Sequence, residues 1–92
     1  MKTKKEVLEM VTEERIRQDE KWGFPQNNDT FEWISILGEE FGKLARATND
    51  AYLGISSTGD ISKINKYAIQ VAAVALAIAE HLPVEEEKTD EN

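Results

Sequence analysis

Apolar positions recur along this chain at helical intervals in three successive segments, separated by short polar breaks. From about residue 3 to residue 21, Val7, Leu8, Val11 and Ile16 form a narrow apolar stripe on an otherwise charged surface. Thr3 followed by Glu6 has the spacing of a capping box, and Gly23 and Pro25 end the segment. Gln26, Asn27, Asn28 and Asp29 read as a loop. A second helix is expected from Asp29 or Thr30, with Asp29 as its cap and Glu32 closing a second box. Phe31, Ile34, Leu37, Phe41, Leu44, Ala45 and Thr48 then give the clearest stripe in the chain, ending near Tyr52 with Gly54 at the stop.

Residues 55–59 read as a connector. Asp60 or Ser62 caps a third helix that runs to about Leu82, where Pro83 forbids continuation. Between Tyr67 and Ala79 its only strongly polar residue is Gln70. A helix apolar on nearly all sides must be covered on nearly all sides. Two partner helices from one short chain scarcely suffice, and alanines at 68, 72, 73, 75, 77 and 79 admit close neighbours. The expectation is an all-α fold: a three-helix protomer within an oligomeric bundle, a homodimer or homotetramer. Residues 1–82 form one helical domain, and the acidic residues 83–92, without apolar periodicity, read as a disordered tail.

Composition narrows the chemistry. Ninety-two residues build a small core that association would help to stabilise. No cysteine is present, which removes disulfides, thiolate metal sites and cysteine nucleophiles, and His81 is the sole imidazole. The net charge of −7 disfavours a binder of duplex nucleic acid, which needs a basic face. The N-terminus lacks the apolar centre of a signal peptide, and the longest apolar run, Val71 to Ala79, is far shorter than a membrane span. The expected setting is cytoplasmic, away from membranes.

Glu39 and Glu40 share a helical flank with Ile36 and Lys43, beside the stripe of Leu37, Phe41 and Leu44. Acids there are placed to hold Mg²⁺; the commoner outcome of such spacing is a solvated surface pair, with Glu39 bridging to Lys43. Arg15, Arg17 and Lys21 are candidates for phosphate oxygens and Trp22 for stacking on a base. The competing reading buries Trp22 and Trp33 as seals of the core. Gln70 requires a hydrogen-bond partner, across a subunit interface or in a ligand cavity, and Tyr67 lies one turn earlier. His81 suits a helix C-terminus as a cation. No P-loop, dinucleotide fingerprint or nucleophilic triad is present.

Three blocks occur in order: Glu14-Arg15-x-Arg17-Gln18-Asp19-Glu20-Lys21-Trp22-Gly23, Trp33-x-x-Ile36-Leu37-Gly38-Glu39-Glu40-Phe41-Gly42, and Ile69-Gln70-Val71-Ala72-Ala73-Val74-Ala75. Together, over roughly residues 6 to 82, they resemble the MazG-like branch of the all-α nucleoside triphosphate pyrophosphohydrolases, especially its short phage-encoded members. The resemblance implies a helical bundle assembled as a dimer or tetramer. It also implies acids on two helices, E-E-x-x-E and E-x-x-D, that hold Mg²⁺ and activate water for attack at the α-phosphorus. By position Glu39 and Glu40 match the first two acids, the third falls on Lys43, and the second pair falls on Tyr67 and Gln70.

Two of five acids is a poor set for a pair of Mg²⁺ ions, and Lys43 adds a positive charge where they would sit. The same changes lessen the repulsion of phosphate. The expected function is capture of a nucleotide or nucleotide signal with little or no hydrolysis, using Arg15, Arg17, Lys21, Trp22, Lys43, Tyr67 and Gln70. In a phage it would act in the host cytoplasm. The alternatives are an Mg²⁺-dependent pyrophosphohydrolase working through Glu39 and Glu40, and a helical module that docks on a host protein.

Overall fold

The computed structural model describes residues 1–53 and 61–83, and these form three helices: α1 (Lys4–Trp22), α2 (Thr30–Leu53) and α3 (Ile61–His81). Among the described residues there is no strand. The connector, the Gly54 stop, the Asp60 cap and the tail after residue 83 lie outside them, and Ser62 falls inside the first turn of α3.

Local chemistry sets the helix ends. Thr3 accepts from the Glu6 amide at 3.1 Å while its own amide donates to Glu6 Oε1 at 2.8 Å. Asp29 and Glu32 exchange the same two bonds, both at 2.8 Å. Each box satisfies amides that a helix start leaves without intrahelical partners. At the far end of α1, Gly23 adopts a φ of 91° and donates its amide to the Asp19 carbonyl at 2.7 Å. A side chain is strained at that φ, so glycine is what lets the chain leave the helix there.

α3 is the central rod. It packs against both α1 and α2, whose backbones, among the described residues, do not approach each other closely. Val11 of α1 meets Ile69 and Ala73 of α3, with Val7, Met10 and Ala72 packed against them. On the α2 side, Trp33 and Ala47 are buried, as are Val74 and Ala77 of α3. Trp33 is the largest fully buried side chain; removing such an indole costs about 3–5 kcal/mol. Because α1 and α2 stand apart, α3 becomes the floor of a cleft between them.

One feature differs from the sequence expectation. The buried line of α2 is Trp33, Glu40 and Ala47, whereas Phe31, Ile34 and Phe41 face outward. The apolar arc of α2 is wider than one neighbouring helix can cover, and α3 takes only the Trp33 edge of it. The two partner helices cover α3, as the sequence suggests, on part of its circumference: Ile61, Ala68, Ala75, Leu76 and Ala79 are exposed. By length and composition alone α3, at 21 residues, is also apolar enough to cross a membrane.

Candidate functional site

Each helix contributes a row at helical spacing to the cleft. From α1 come Glu14, Arg17, Gln18 and Lys21; from α2 come Ile36, Glu39, Glu40 and Lys43; from α3 come Lys66, Gln70, Val74 and Ala77. The i, i+3, i+4, i+7 pattern puts each of the first two rows on one face of its helix. Trp22 closes α1 beside them.

The cleft has two ends of opposite character. At one end a cavity of about 240 Å³ is walled largely by Trp22, Trp33, Ile36, Val74 and Ala77. At the other, a cavity of about 520 Å³ is lined by Arg17, Lys21, Lys43 and Lys66, with Glu14, Glu40, Gln70 and their neighbours. Gln18, Trp22 and Glu40 border both, so the two are continuous. Four cationic side chains therefore face two carboxylates within a chain whose net charge is −7.

The carboxylates are held by this arrangement. Glu14 accepts from Arg17 Nε at 2.9 Å and Nη2 at 2.7 Å, and from Gln18 Nε2 at 3.2 Å. The Arg17 hydrogen bond holds the Glu14 carboxyl below the usual carboxylate range against the opposing effect of burial, with Arg17's charge, Gln18 and Lys66 adding to it. Arg17 is raised in turn, first by its bond to Glu14. Glu40 is buried on the cleft wall, and Lys43 Nζ donates to it at 3.2 Å. Lys21 lies 5.2 Å from the centre of the Trp22 ring and Lys66 5.7 Å from that of Tyr67. Neither lysine makes an ion pair among the described residues.

The residues singled out from sequence do not all converge. Arg17, Lys21, Trp22, Lys43, Gln70 and Glu40 line the cationic cavity; Glu39 borders the apolar one. Trp22 is half-exposed on the cleft, whereas Trp33 is buried. Lys43 pairs with Glu40 instead of bridging to Glu39. Tyr67 is half-buried and does not line the cationic cavity.

Arg15 is elsewhere altogether. It is 5% exposed, pairs with Asp19 at 2.8 Å and hydrogen-bonds Glu80 of α3 through Nε at 3.0 Å and through Nη2. Burial, the largest single influence on it, disfavours its charge; the bonds to Glu80 and Asp19 outweigh that and raise it. The reason for the divergence is angular. At about 100° per residue, Arg15 and Arg17 point in nearly opposite directions, so one docks α1 on α3 while the other lines the cleft.

The donor set does not fit a pair of Mg²⁺ ions. Glu40 is neutralised by Lys43, Glu39 beside it stands as a single unpaired carboxylate, and among the described residues no three of His, Asp and Glu cluster as ligands.

Sequence reading passed over Lys66, Gln18 and Gln26. Lys66 stands one turn before Gln70 and Gln18 one turn before Lys21, so helical spacing from residues already chosen points to both. Gln26 depends on a contact that no spacing announces. Its amide donates to His81 Nε2 at 2.9 Å, while His81 Nδ1 lies 2.7 Å from the Ala77 carbonyl. An amide must donate and a carbonyl must accept, so the ring is neutral with its proton on Nδ1. It is thus not the helix-end cation expected. Phe24 and Trp33 pack on the same ring with centroids 5.1 and 4.9 Å away. His81 thereby anchors the α1–α2 loop, and Gln26 within it, to the closed end of the cleft. Comparison with protein families, with curated proteins and with solved structures finds no match to this chain.

Proposed function

We propose that the cleft captures a nucleotide, the base entering the apolar end and the phosphate lying among the cations, without metal-dependent turnover. One observation carries this: a small aromatic-walled cavity opens directly into a larger one lined by Arg17, Lys21, Lys43 and Lys66. Ligand sites combine apolar walls with a few converging polar groups in this way, and guanidinium and ammonium groups match phosphate oxygens. Membership of the MazG-like branch is part of the proposal. It draws support from Glu40, Lys43 and Gln70 lining one cavity, three positions at which that family's motif has acids.

The test is a thermal-shift and calorimetric panel of nucleoside mono-, di- and triphosphates and cyclic dinucleotides, in EDTA. Stabilisation that persists in EDTA is expected. Absence of any shift defeats the proposal. Pyrophosphate release from a triphosphate with Mg²⁺, abolished by Glu40→Gln, would favour the pyrophosphohydrolase instead.

Association with further copies of the chain belongs to the same reading. Phe31, Ile34 and Phe41 on α2 and Ile61 and Leu76 on α3 stand exposed, each at 46% or more. Apolar surface of this extent on so small a protein favours burial against a partner, and Gly38, Gly42 and the α3 alanines let helices approach closely. A second copy supplies that partner without requiring any other molecule.

A further inference from the structure

We propose that α2 is a dimerisation helix: it lies antiparallel against α2 of a second copy, with Phe41 of each chain seated over Gly38 of the other. The inference rests on the self-association reading above and names its surface and geometry.

Apolar and small residues recur along α2 at alternating steps of three and four. Phe31, Ile34, Gly38, Phe41, Ala45 and Thr48 form this seam, the spacing by which two helices pack along their length. The first four are exposed and the last two half-buried, while α3 packs on a different edge, that of Trp33, Glu40 and Ala47. All six charged residues of α2, Glu32, Glu39, Glu40, Lys43, Arg46 and Asp50, stand off the seam. The positions that flank it, Ser35, Gly42 and Asn49 on one side and Leu37, Leu44 and Ala51 on the other, carry no charge. Two copies therefore meet on this face without like-charge repulsion.

The glycines point the same way independently. Gly38 and Gly42 lie in the interior of α2, where glycine is a poor helix former. Neither has a positive φ, and a Cβ added at either meets nothing within 4 Å. Nothing in the chain itself calls for glycine there. A second backbone passing close by does, because only glycine leaves that space open.

The seam fits itself in one direction. With Phe41 opposite the copy's Gly38, an antiparallel register places Ile34 opposite Ala45 and Phe31 opposite Thr48. Every large side chain then faces a small one, and two-fold symmetry repeats each match. A parallel pair sets Phe41 against Phe41 and Gly38 against Gly38, crowding one layer and emptying the next. This self-complementarity identifies the occupant as a second copy. Taking about 150–250 Å² for a large side chain, the exposed parts of Phe31, Ile34 and Phe41, with the small residues between them, offer roughly 500 Å² on each chain. Two copies hide roughly 1,000 Å², the size at which a specific interface begins.

The chain has no cysteine, so disulfide trapping reads the pairing without background. Co-expressed chains carrying Ile34→Cys and Ala45→Cys are expected to join in a mixed disulfide dimer. Either variant alone should give little, because the antiparallel pair holds each residue about 17 Å from its own counterpart and a disulfide needs Cα atoms within about 7 Å. Gly38→Ala meets nothing in its own chain, so the urea midpoint of the dissociated chain should stay level or rise. In sedimentation the same variant should dimerise about tenfold more weakly. Crosslinking by Ile34→Cys alone sets the helices parallel and overturns the pairing. A wild type that dimerises, yet gives no mixed disulfide and ignores Gly38→Ala, overturns this surface and leaves self-association to α3. A wild type that sediments as a single chain overturns both.

Discussion

His81 offers the sharpest test of how the closed end of the cleft is built. In His81→Ala the Gln26 amide loses its acceptor at 2.9 Å and the Ala77 carbonyl loses its extra donor at 2.7 Å. Neutral hydrogen bonds of this kind contribute about 1 kcal/mol each. The ring contacts to Trp33 and Phe24 are worth about 0.5–1.5 kcal/mol each beyond simple burial. Together the loss comes to about 3–5 kcal/mol. In a domain of this size 1 kcal/mol shifts Tm by about 4–8 °C, so a fall of at least about 12 °C follows. His81→Phe keeps an aromatic ring between Trp33 and Phe24 but neither hydrogen bond, and should lose about 2 kcal/mol. Urea denaturation at fixed protein concentration measures both, and the emission of Trp33 should report loosening around the ring. A cost below about 1 kcal/mol for His81→Ala would show that the loop is held by something else.

Three further outcomes follow from the geometry. Arg15→Met should cost about 1–3 kcal/mol, less than breaking a fully buried pair because Glu80 is half-exposed, and should leave nucleotide affinity unchanged in calorimetry; Arg17→Ala should do the reverse. Glu14 is held below the ordinary carboxylate range in the folded chain, so its contribution is full above that range and is lost as pH falls through the folded value. The gap in urea midpoint between wild type and Glu14→Gln should accordingly narrow on acidification below about pH 4. Phe41, 59% exposed, should lie within the self-association surface, so Phe41→Glu should shift sedimentation toward the single chain; a wild type that already sediments as one chain at micromolar concentration rejects the assembly.

The helices were legible because their boundaries are local chemistry. Thr3 with Glu6 and Asp29 with Glu32 satisfy amides within three residues of sequence, and Gly23 stops α1 through its own φ. The orientation of α2 was not legible. Its apolar arc runs from Trp33, Leu37 and Leu44 round to Ile34, Phe41 and Tyr52, and either half reads as a core face. Which half is buried depends on where α3 lies, and the periodicity of α2 carries no information about that. The site was legible to the extent that its rows are helical: Ile36, Glu39, Glu40 and Lys43 form a flank by spacing alone. Arg15 was misjudged because a charged block invites reading as a unit, although a helix separates neighbours two apart. Loop contacts such as Gln26 to His81 join residues far apart in sequence, beyond the reach of any spacing argument.

Capture and assembly would make separate demands on the same two helices, and the angular positions separate them. On α3 the cleft residues Lys66, Gln70, Val74 and Ala77 occupy one side. At about 100° per residue, the exposed Ile61, Ala68, Ala75 and Ala79 fall on the opposite side. α2 repeats the arrangement: Ile36, Glu39, Glu40 and Lys43 face the cleft, while Ile34, Gly38, Phe41 and Tyr52 point away. A second copy seated on the outward faces would therefore leave the cleft open. It would also cover the apolar surface that one short chain leaves exposed, and hold the two walls in position. Such a division would account for the composition of α3, in which a lysine and a glutamine mark the inner side of a rod whose outer side is largely apolar.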